Sequence, residues 1–315
     1  MMRKNVISQA TVLLLFVALI TVETAATDAA LERKIDSLFV IASSGEVKYR
    51  DLVEPAQDSI AALGIDAVPI LVDKLTTKSA RERWTIIWIL QKIGSEAVPY
   101  LVTALKRSDG LVVQRVCWAL GDIGDTAAVQ PLIDVTGHSR WQVRDQAIGA
   151  LGKIGDQRGS EAAVEALGDT IGQVRKAAVV ACGKLTVARS VASLVHLLGD
   201  SFYGVRLAAA EALLKMDTVD VMAVLGDSLA SDNDFVGDLG CRLLGEIGTD
   251  EALELLLGQT LSDDPDRRAH AATAIIKADP LDNCGYHRML TDRETDRFTR
   301  LKIQSTRRAV SDVDQ

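Results

Sequence analysis

The chain has 315 residues and a formal net charge of −8, with 48% hydrophobic, 25% charged and only 4% aromatic residues. That much apolar material excludes a disordered polypeptide and is ample for a core. Ala, Leu, Val and Ile in place of aromatics suit close-packed helices better than a β-sandwich. Acidic residues are in excess and no basic stripe is present to neutralise phosphates, so nucleic acid is not an expected partner.

Residues 1–26 have the three-part order of a secretory signal peptide. Met1-Met2-Arg3-Lys4 is a short basic start, Val12 to Val22 is almost purely apolar, and Thr24-Ala25-Ala26 offers small residues for cleavage after Ala26. The expectation is a periplasmic or secreted protein with no membrane span after cleavage. The alternative is a retained anchor, although the strictly apolar run, Val12 to Val22, is far shorter than the ~20 residues a span needs. No cysteine follows that would support a lipid anchor. Residues 27–45 then form an N-terminal capping helix, with Leu31, Ile35, Leu38 and Phe39 at helical spacing.

From residue 46 to 280 the chain repeats. The segment ending Ala147-Ile148-Gly149-Ala150-Leu151-Gly152-Lys153-Ile154-Gly155 recurs with its last position at Gly64, Gly94, Gly124, Gly155, Thr186, Asp217, Gly248 and Asp279. The interval between those positions is constant to within one residue and falls inside the window of periods that marks solenoids. Ala147, Ala150, Leu151 and Ile154 lie at i, i+3, i+4 and i+7 of one helix face. The closing Gly permits the left-handed conformation that ends a helix. Asp is only mildly enriched in that conformation and Thr186 is a poor fit to it, so the caps at Thr186, Asp217 and Asp279 are expected to differ. A second apolar helix follows each first one, with Pro69 and Pro99 expected in its first turn, where a missing N–H costs little. One unit cannot bury both stripes alone, so neighbours must stack. Ala147, Ala150, Ala178, Ala181, Ala209 and Ala212 allow the close approach. The fold class expected is all-α: a right-handed α-solenoid of about eight HEAT-like helix pairs with an N-terminal capping helix. Residues 281–315 lose the repeat and read as a C-terminal cap or partly disordered tail.

Val143-Arg144, Val174-Arg175 and Val205-Arg206 open first helices, and each Arg stands equally far ahead of its closing position, Gly155, Thr186 or Asp217. Arg83 and Arg268 hold the same place, whereas Val53, Val113 and Gly237 break the row and predict looser junctions. Asp169 and Asp200 stand six residues before Arg175 and Arg206. This pattern over 46–280 resembles the PBS-lyase-type HEAT repeat. Physically, each Arg of the ladder Arg83, Arg144, Arg175, Arg206 and Arg268 can donate to loop carbonyls, and Arg175 and Arg206 also to the Asp six residues before them. Two enzyme classes share the repeat. Deoxyhypusine hydroxylases bind iron through His-Glu dipeptides, but the four histidines here precede Ser139, Leu197, Ala271 and Arg288. Phycobilisome lyases act on antenna proteins, which are not exported by a secretory signal.

No active site is visible in the sequence. Cys117, Cys182, Cys241 and Cys284 are placed as buried free thiols rather than disulfide partners. His138, His196, His270 and His287 fall in different units without metal spacing. Asp263-Asp264 and Asp232/Asp234 read as loop or helix-capping residues. No metal or cofactor is expected. The informative feature is aromatic: all four tryptophans lie between residues 84 and 141. Trp84 and Trp88 are i, i+4 neighbours off the core stripe, Trp118 is equivalent to Trp88 one repeat on, and Trp141 is read as lying in the loop entering the next unit. They are either gap fillers between repeats or an interface. The resulting expectation is a non-enzymatic exported scaffold that binds a protein or peptide on the concave solenoid face. The alternatives are a lyase-like or enzyme-accessory protein acting on a tetrapyrrole-type ligand, and a passive structural component of an envelope complex.

Overall fold

The computed structural model describes residues 28–229, 233–279, 285–287, 290, 294 and 296–313. The expected signal peptide at 1–26, Asp232 and Cys284 lie outside them. All described regular elements are helical. The described chain is an all-α solenoid built as two compact units, divided between Asp125 and Thr126.

In the first unit, helix α1 (28–42) buries Ile35, Phe39 and Ala42. It precedes α2 (Val53–Ala61), α3 (Val68–Lys74), α4 (Ala80–Ile93), α5 (Val98–Ala104) and α6 (Gly110–Ile123). Helices α2, α4 and α6 pack in series, and α3 and α5 stack beside them. Pro69 and Pro99 fall in the first turns of α3 and α5, where the missing N–H has no intrahelical partner to lose.

The second unit begins with α7 (Val129–Asp134) and continues through α8 (Trp141–Ile154), α9 (Ser160–Glu165), α10 (Gly172–Leu185), α11 (Val191–His196), α12 (Tyr203–Leu213) and α13 (Thr218–Ser228). It ends with α14 (Asp234–Ile247), α15 (Asp250–Gln259), α16 (Pro265–Ala278) and α17 (Arg297–Val313). Helix α17 packs on α16 in the segment expected to be a cap or tail.

The close approach of first helices rests on a Gly three residues before the closing position. A Cβ on Gly152 would stand 2.8 Å from Ala181 Cα, and one on Gly183 would stand 2.9 Å from Ala212 Cβ. Gly245 faces Ala274 in the same way, at 2.9 Å. Such distances leave no room for a methyl group. Helices α8, α10 and α12 therefore pack closely in series, as do α14 and α16. At α12 the equivalent residue is Leu214, 43% exposed, and α14 takes its contacts from α11 and the turn 197–199 instead.

The helix ends correct one expectation. Gly124, Gly155 and Gly248 are left-handed, with φ of 78°, 77° and 65°. Thr186 is left-handed too, at φ 49°, ψ 50°. The amide of Thr186 donates to Cys182 O and that of Val187 follows it onto the same carbonyl. The capping geometry thus overrides the cost of a β-branched side chain there. Asp217 does differ: α12 ends earlier, and the Asp217 carboxylate caps the start of α13 through Val219 and Asp220 N–H.

Candidate functional site

The arginines of the ladder link consecutive repeats. Arg144 Nη1 donates to His138 O at 3.0 Å, Arg175 to Asp169 O at 2.8 Å, Arg206 to Asp200 O at 2.7 Å and Arg268 to Ser262 O at 2.9 Å, always six residues back. Arg83 reaches Lys78 O at 3.1 Å. The carboxylate partner is not the Asp six residues earlier, as the sequence suggested, but the acid of the following loop. Arg144 grips both oxygens of Asp169 at 2.7 and 2.9 Å, Arg175 those of Asp200 at 2.7 Å each, and Arg268 those of Glu294 at 2.9 and 3.1 Å. An Arg in the first turn of one helix lies beside the loop that opens the next, which places the later acid within reach. Arg206 instead lies 4.1 Å over the Phe235 ring and 5.3 Å over Tyr203.

Asp169 is consequently a three-way joint. Its carboxylate receives Arg144 and the Ile171 amide, and its carbonyl receives Arg175. The Arg144 guanidinium holds the Asp169 carboxyl below its ordinary value against the opposing effect of burial. Burial pushes the Asp200 carboxyl up, but Arg175, the Phe202 amide and the charge of Arg206 together hold it below its ordinary value.

The junctions expected to be loose carry a second set of arginines. Buried Arg115 donates to Leu75 O and, at 2.8 Å, to Thr77 O. Arg267 donates to Leu229 O at 2.9 Å, and Arg81 to Ser44 O at 3.2 Å. Leu75 and Leu229 close helices α3 and α13, so these guanidiniums satisfy carbonyls left open at helix C-termini. Gly45 and Gly237 make room: a Cβ at either would fall 2.8 Å from the Arg81 or Arg267 guanidinium.

In the first unit, Trp84 is 61% exposed and meets Trp118 edge to face, ring centroids 4.5 Å apart. Trp118 and Trp88 are half-buried. The Lys92 ammonium lies 3.8 Å over the Trp88 ring and also pairs with Asp58, so Trp88 carries its own cover. The open aromatic surface is the Trp84–Trp118 pair.

In the second unit, Trp141 is not a loop residue but the first residue of α8. It borders a groove of about 490 Å³ running along α8 and α10 to the start of α12. Gly149, Ala177, Val180 and Ala181 line it, Trp141 and Phe202 stand at one end, and Asp145, Lys176 and Lys184 supply its charges. Phe202 leans over α10, because a Cβ on Gly172 would meet its ring at 2.7 Å. Burial pushes the Asp145 carboxyl above its ordinary value, while the Gln146 amide and the Lys176 charge oppose the shift. Phe202 and Lys176 were not singled out by the repeat pattern, because neither residue type recurs at its frame position in the neighbouring repeats.

Cys117, Cys182 and Cys241 are buried free thiols, with burial pushing them up to about 12, 11 and 12. His138 Nδ1 accepts the Arg140 amide, and His270 pairs with Asp238 at 2.7 Å. Asp264 caps α16, and Asp234 lies in the first turn of α14. Among the described residues no group of three His, Cys, Asp or Glu could hold a metal ion, and no single helix is long and apolar enough to cross a membrane.

Compared with known proteins, the chain matches the family described as HEAT repeats over residues 98–172, 131–213, 160–238 and 199–277, together more than half its length. No curated protein sequence matches it significantly. Among solved structures it is similar to YibA of Escherichia coli, at 17% identity over 84% of this chain and 98% of that one, with a TM-score of 0.50. It is also similar to the chain in the Kap95p–RanGDP structure, at 13% identity over 86% of this chain and 46% of that one, with a TM-score of 0.53. The complex of CpcE and CpcF of phycocyanin lyase from Nostoc matches at 18% identity over 77% and 94%, with a TM-score of 0.40. These likenesses are of fold.

Proposed function

The chain belongs to the HEAT-repeat family, and from that premise we propose that it is an exported, non-enzymatic scaffold that holds a protein or peptide on the exposed face of its first helices. The observation that carries this reading is the Trp84–Trp118 pair, an indole pair that the core does not need and that leaves Trp84 mostly in solvent. Large exposed aromatics in contact with one another are the anchors from which interfaces draw most of their energy. Several of the shifted groups have structural uses: the Cys117, Cys182 and Cys241 thiols are buried and pushed up by that burial, and Asp169 and Asp200 are tied to the arginine ladder. Export rests on the basic, apolar and small-residue order of residues 1–26.

The test compares native protein with a Trp84→Ala/Trp118→Ala variant in pull-downs from the envelope fraction, each bound protein being quantified. The expected result is specific loss of one stoichiometric partner with the melting temperature nearly unchanged. Equal capture by both proteins refutes the reading. So does a variant destabilised by ~3–5 kcal/mol, the range for buried aromatics cut to Ala. N-terminal sequencing tests export separately: mature protein begins at or near Thr27, and intact Met1 on cytoplasmic protein defeats that claim.

A further inference from the structure

The groove of the second unit differs in chemistry from the tryptophan pair of the first. Its floor is built of small residues. Gly149 sits there with nothing within 4 Å of where its Cβ would be, so a foreign side chain has room at that point. Trp141 and Phe202, the latter 38% exposed, give the groove two aromatic walls at the N-terminal ends of α8 and α12. About 490 Å³ is enough for several side chains of a peptide.

The charges select among occupants. Two lysines, Lys176 and Lys184, line the groove against one carboxylate, Asp145. Burial pushes the Asp145 carboxyl up, its oxygen already receives the Gln146 amide at 3.1 Å, and the Lys176 charge opposes the shift only in part. Lys153, Lys184 and Lys215 all stand two residues before a closing position, and all three are exposed. They give this end of three successive repeats a basic edge on a chain whose net charge is −8. Lysines at helix C-termini also offset the helix dipole, but Lys176 lies in the first half of α10, and the dipole does not account for it.

We propose that this groove, as a specific part of the scaffold role above, binds an acidic peptide segment. A large apolar side chain of the segment enters over Gly149, Trp141 and Phe202 close one end of the groove around the neighbouring part of the segment, and flanking carboxylates pair with Lys176 and Lys184. The apolar insertion supplies the buried area, and the lysines set direction and reject basic segments.

The probe is a set of three synthetic ten-residue peptides labelled with fluorescein: one with a central Leu-Phe flanked by Glu, one with Lys in place of every Glu, and one with Ser-Ser in place of Leu-Phe. Fluorescence anisotropy is measured with full-length mature protein and with Gly149→Leu, Lys176→Glu/Lys184→Glu and Trp84→Ala/Trp118→Ala. Circular dichroism checks that each variant is folded. The acidic apolar peptide is expected to bind at least about tenfold more tightly than either control peptide. Gly149→Leu, which fills the floor, and the double charge reversal are each expected to weaken it by a similar factor. The tryptophan variant of the first unit is expected to leave it unchanged. Equal affinity for the Glu and Lys peptides, full affinity in folded Gly149→Leu, or no saturable binding overturns the proposal. None of those results touches the partner captured through Trp84 and Trp118, so the groove can fail while the scaffold reading stands. The converse also holds.

Discussion

Replacing Arg175 by Ala removes three hydrogen bonds from one junction: two to the Asp200 carboxylate at 2.7 Å and one to Asp169 O at 2.8 Å. The pair is well shielded, the side chains being 15% and 6% exposed. It is therefore worth more than a surface ion pair, whose median is near 0–1 kcal/mol. The truncated site leaves Asp200 with the Phe202 amide but no cation gripping it. Removing one partner of a fully buried pair costs ~3–5 kcal/mol. With residual solvent access and the amide retained, about 2–3 kcal/mol is expected. For a solenoid of this length that lowers the melting temperature by about 3–5 °C. Arg175→Lys should recover less than half of the loss, because an ammonium cannot grip both carboxylate oxygens in one plane. The assay is thermal and urea denaturation of both variants beside Lys176→Ala, whose exposed side chain sits next in sequence but outside the ladder. That control should cost under ~0.5 kcal/mol. A double-mutant cycle with Asp200→Ala isolates the pair from the Asp169 carbonyl bond. Equal shifts for Arg175→Ala and Lys176→Ala, or a coupling energy near zero in the cycle, would refute the structural role of the ladder.

Three further outcomes follow from the same geometry. Thr186→Gly should raise stability by about 0.5–1 kcal/mol, because Gly adopts φ 49° without the strain of a β-branched residue; a lowered melting temperature would show that the Thr186 hydroxyl bond to Leu185 O outweighs that strain. Gly183→Ala should destabilise by ~1–3 kcal/mol as its methyl meets Ala212 Cβ at 2.9 Å, whereas Gly149→Ala, with open space at its Cβ, should gain up to about 1 kcal/mol; urea midpoints of the two should move in opposite directions. Asp169 and Asp200 are held below their ordinary values in the folded protein, so the stability they contribute is fully present above the unfolded carboxyl value of ~3.9 and is lost as pH falls from there through the folded values. Melting curves between pH 7 and pH 2.5 should show this loss, and Asp169→Asn/Asp200→Asn should start lower at pH 7 and fall less steeply below pH 4.

The repeat was legible in the sequence because one residue type recurs where the backbone demands it. A Gly at the left-handed position and an Ala-rich stripe, returning at the same point of one unit after another, leave few alternatives to stacked helix pairs. Thr186 was misread for the opposite reason: residue preference is a weak argument where the neighbouring repeats already dictate the backbone path. The main arginine ladder was visible, but its partner was assigned to the wrong loop. Spacing along the chain says which residues share a helix face, not which of two adjacent loops that face will meet. The second set of arginines left no periodic trace. Arg81, Arg115 and Arg267 each stand at a different distance from their closing positions, Gly94, Gly124 and Asp279. Each answers a local need, an open carbonyl at a helix end or the gap beside a Gly, and the same need is met from whichever position is vacant.

The two candidate surfaces show the same limit from the functional side. Trp84, Trp88 and Trp118 could be placed off the core by phase alone, since exposure in a repeat follows the helix face. Phase did not reveal that Trp84 rather than Trp88 reaches Trp118, nor that Lys92 covers Trp88. Those are contacts of rotamers, not of frame positions. The groove was less legible still. Trp141 and Phe202 hold different frame positions, one ahead of Gly155 and the other ahead of Asp217, in repeats that are not adjacent. Helix α10 lies between them, opened by Gly172. A regular solenoid presents the same small-residue floor at every junction. What makes one junction a site is the departure from regularity at its rim, two aromatics at the ends of α8 and α12 and a lysine in the first half of α10. Binding specificity in such a fold therefore belongs to the positions that break the repeat, while the positions that keep it hold those residues in place.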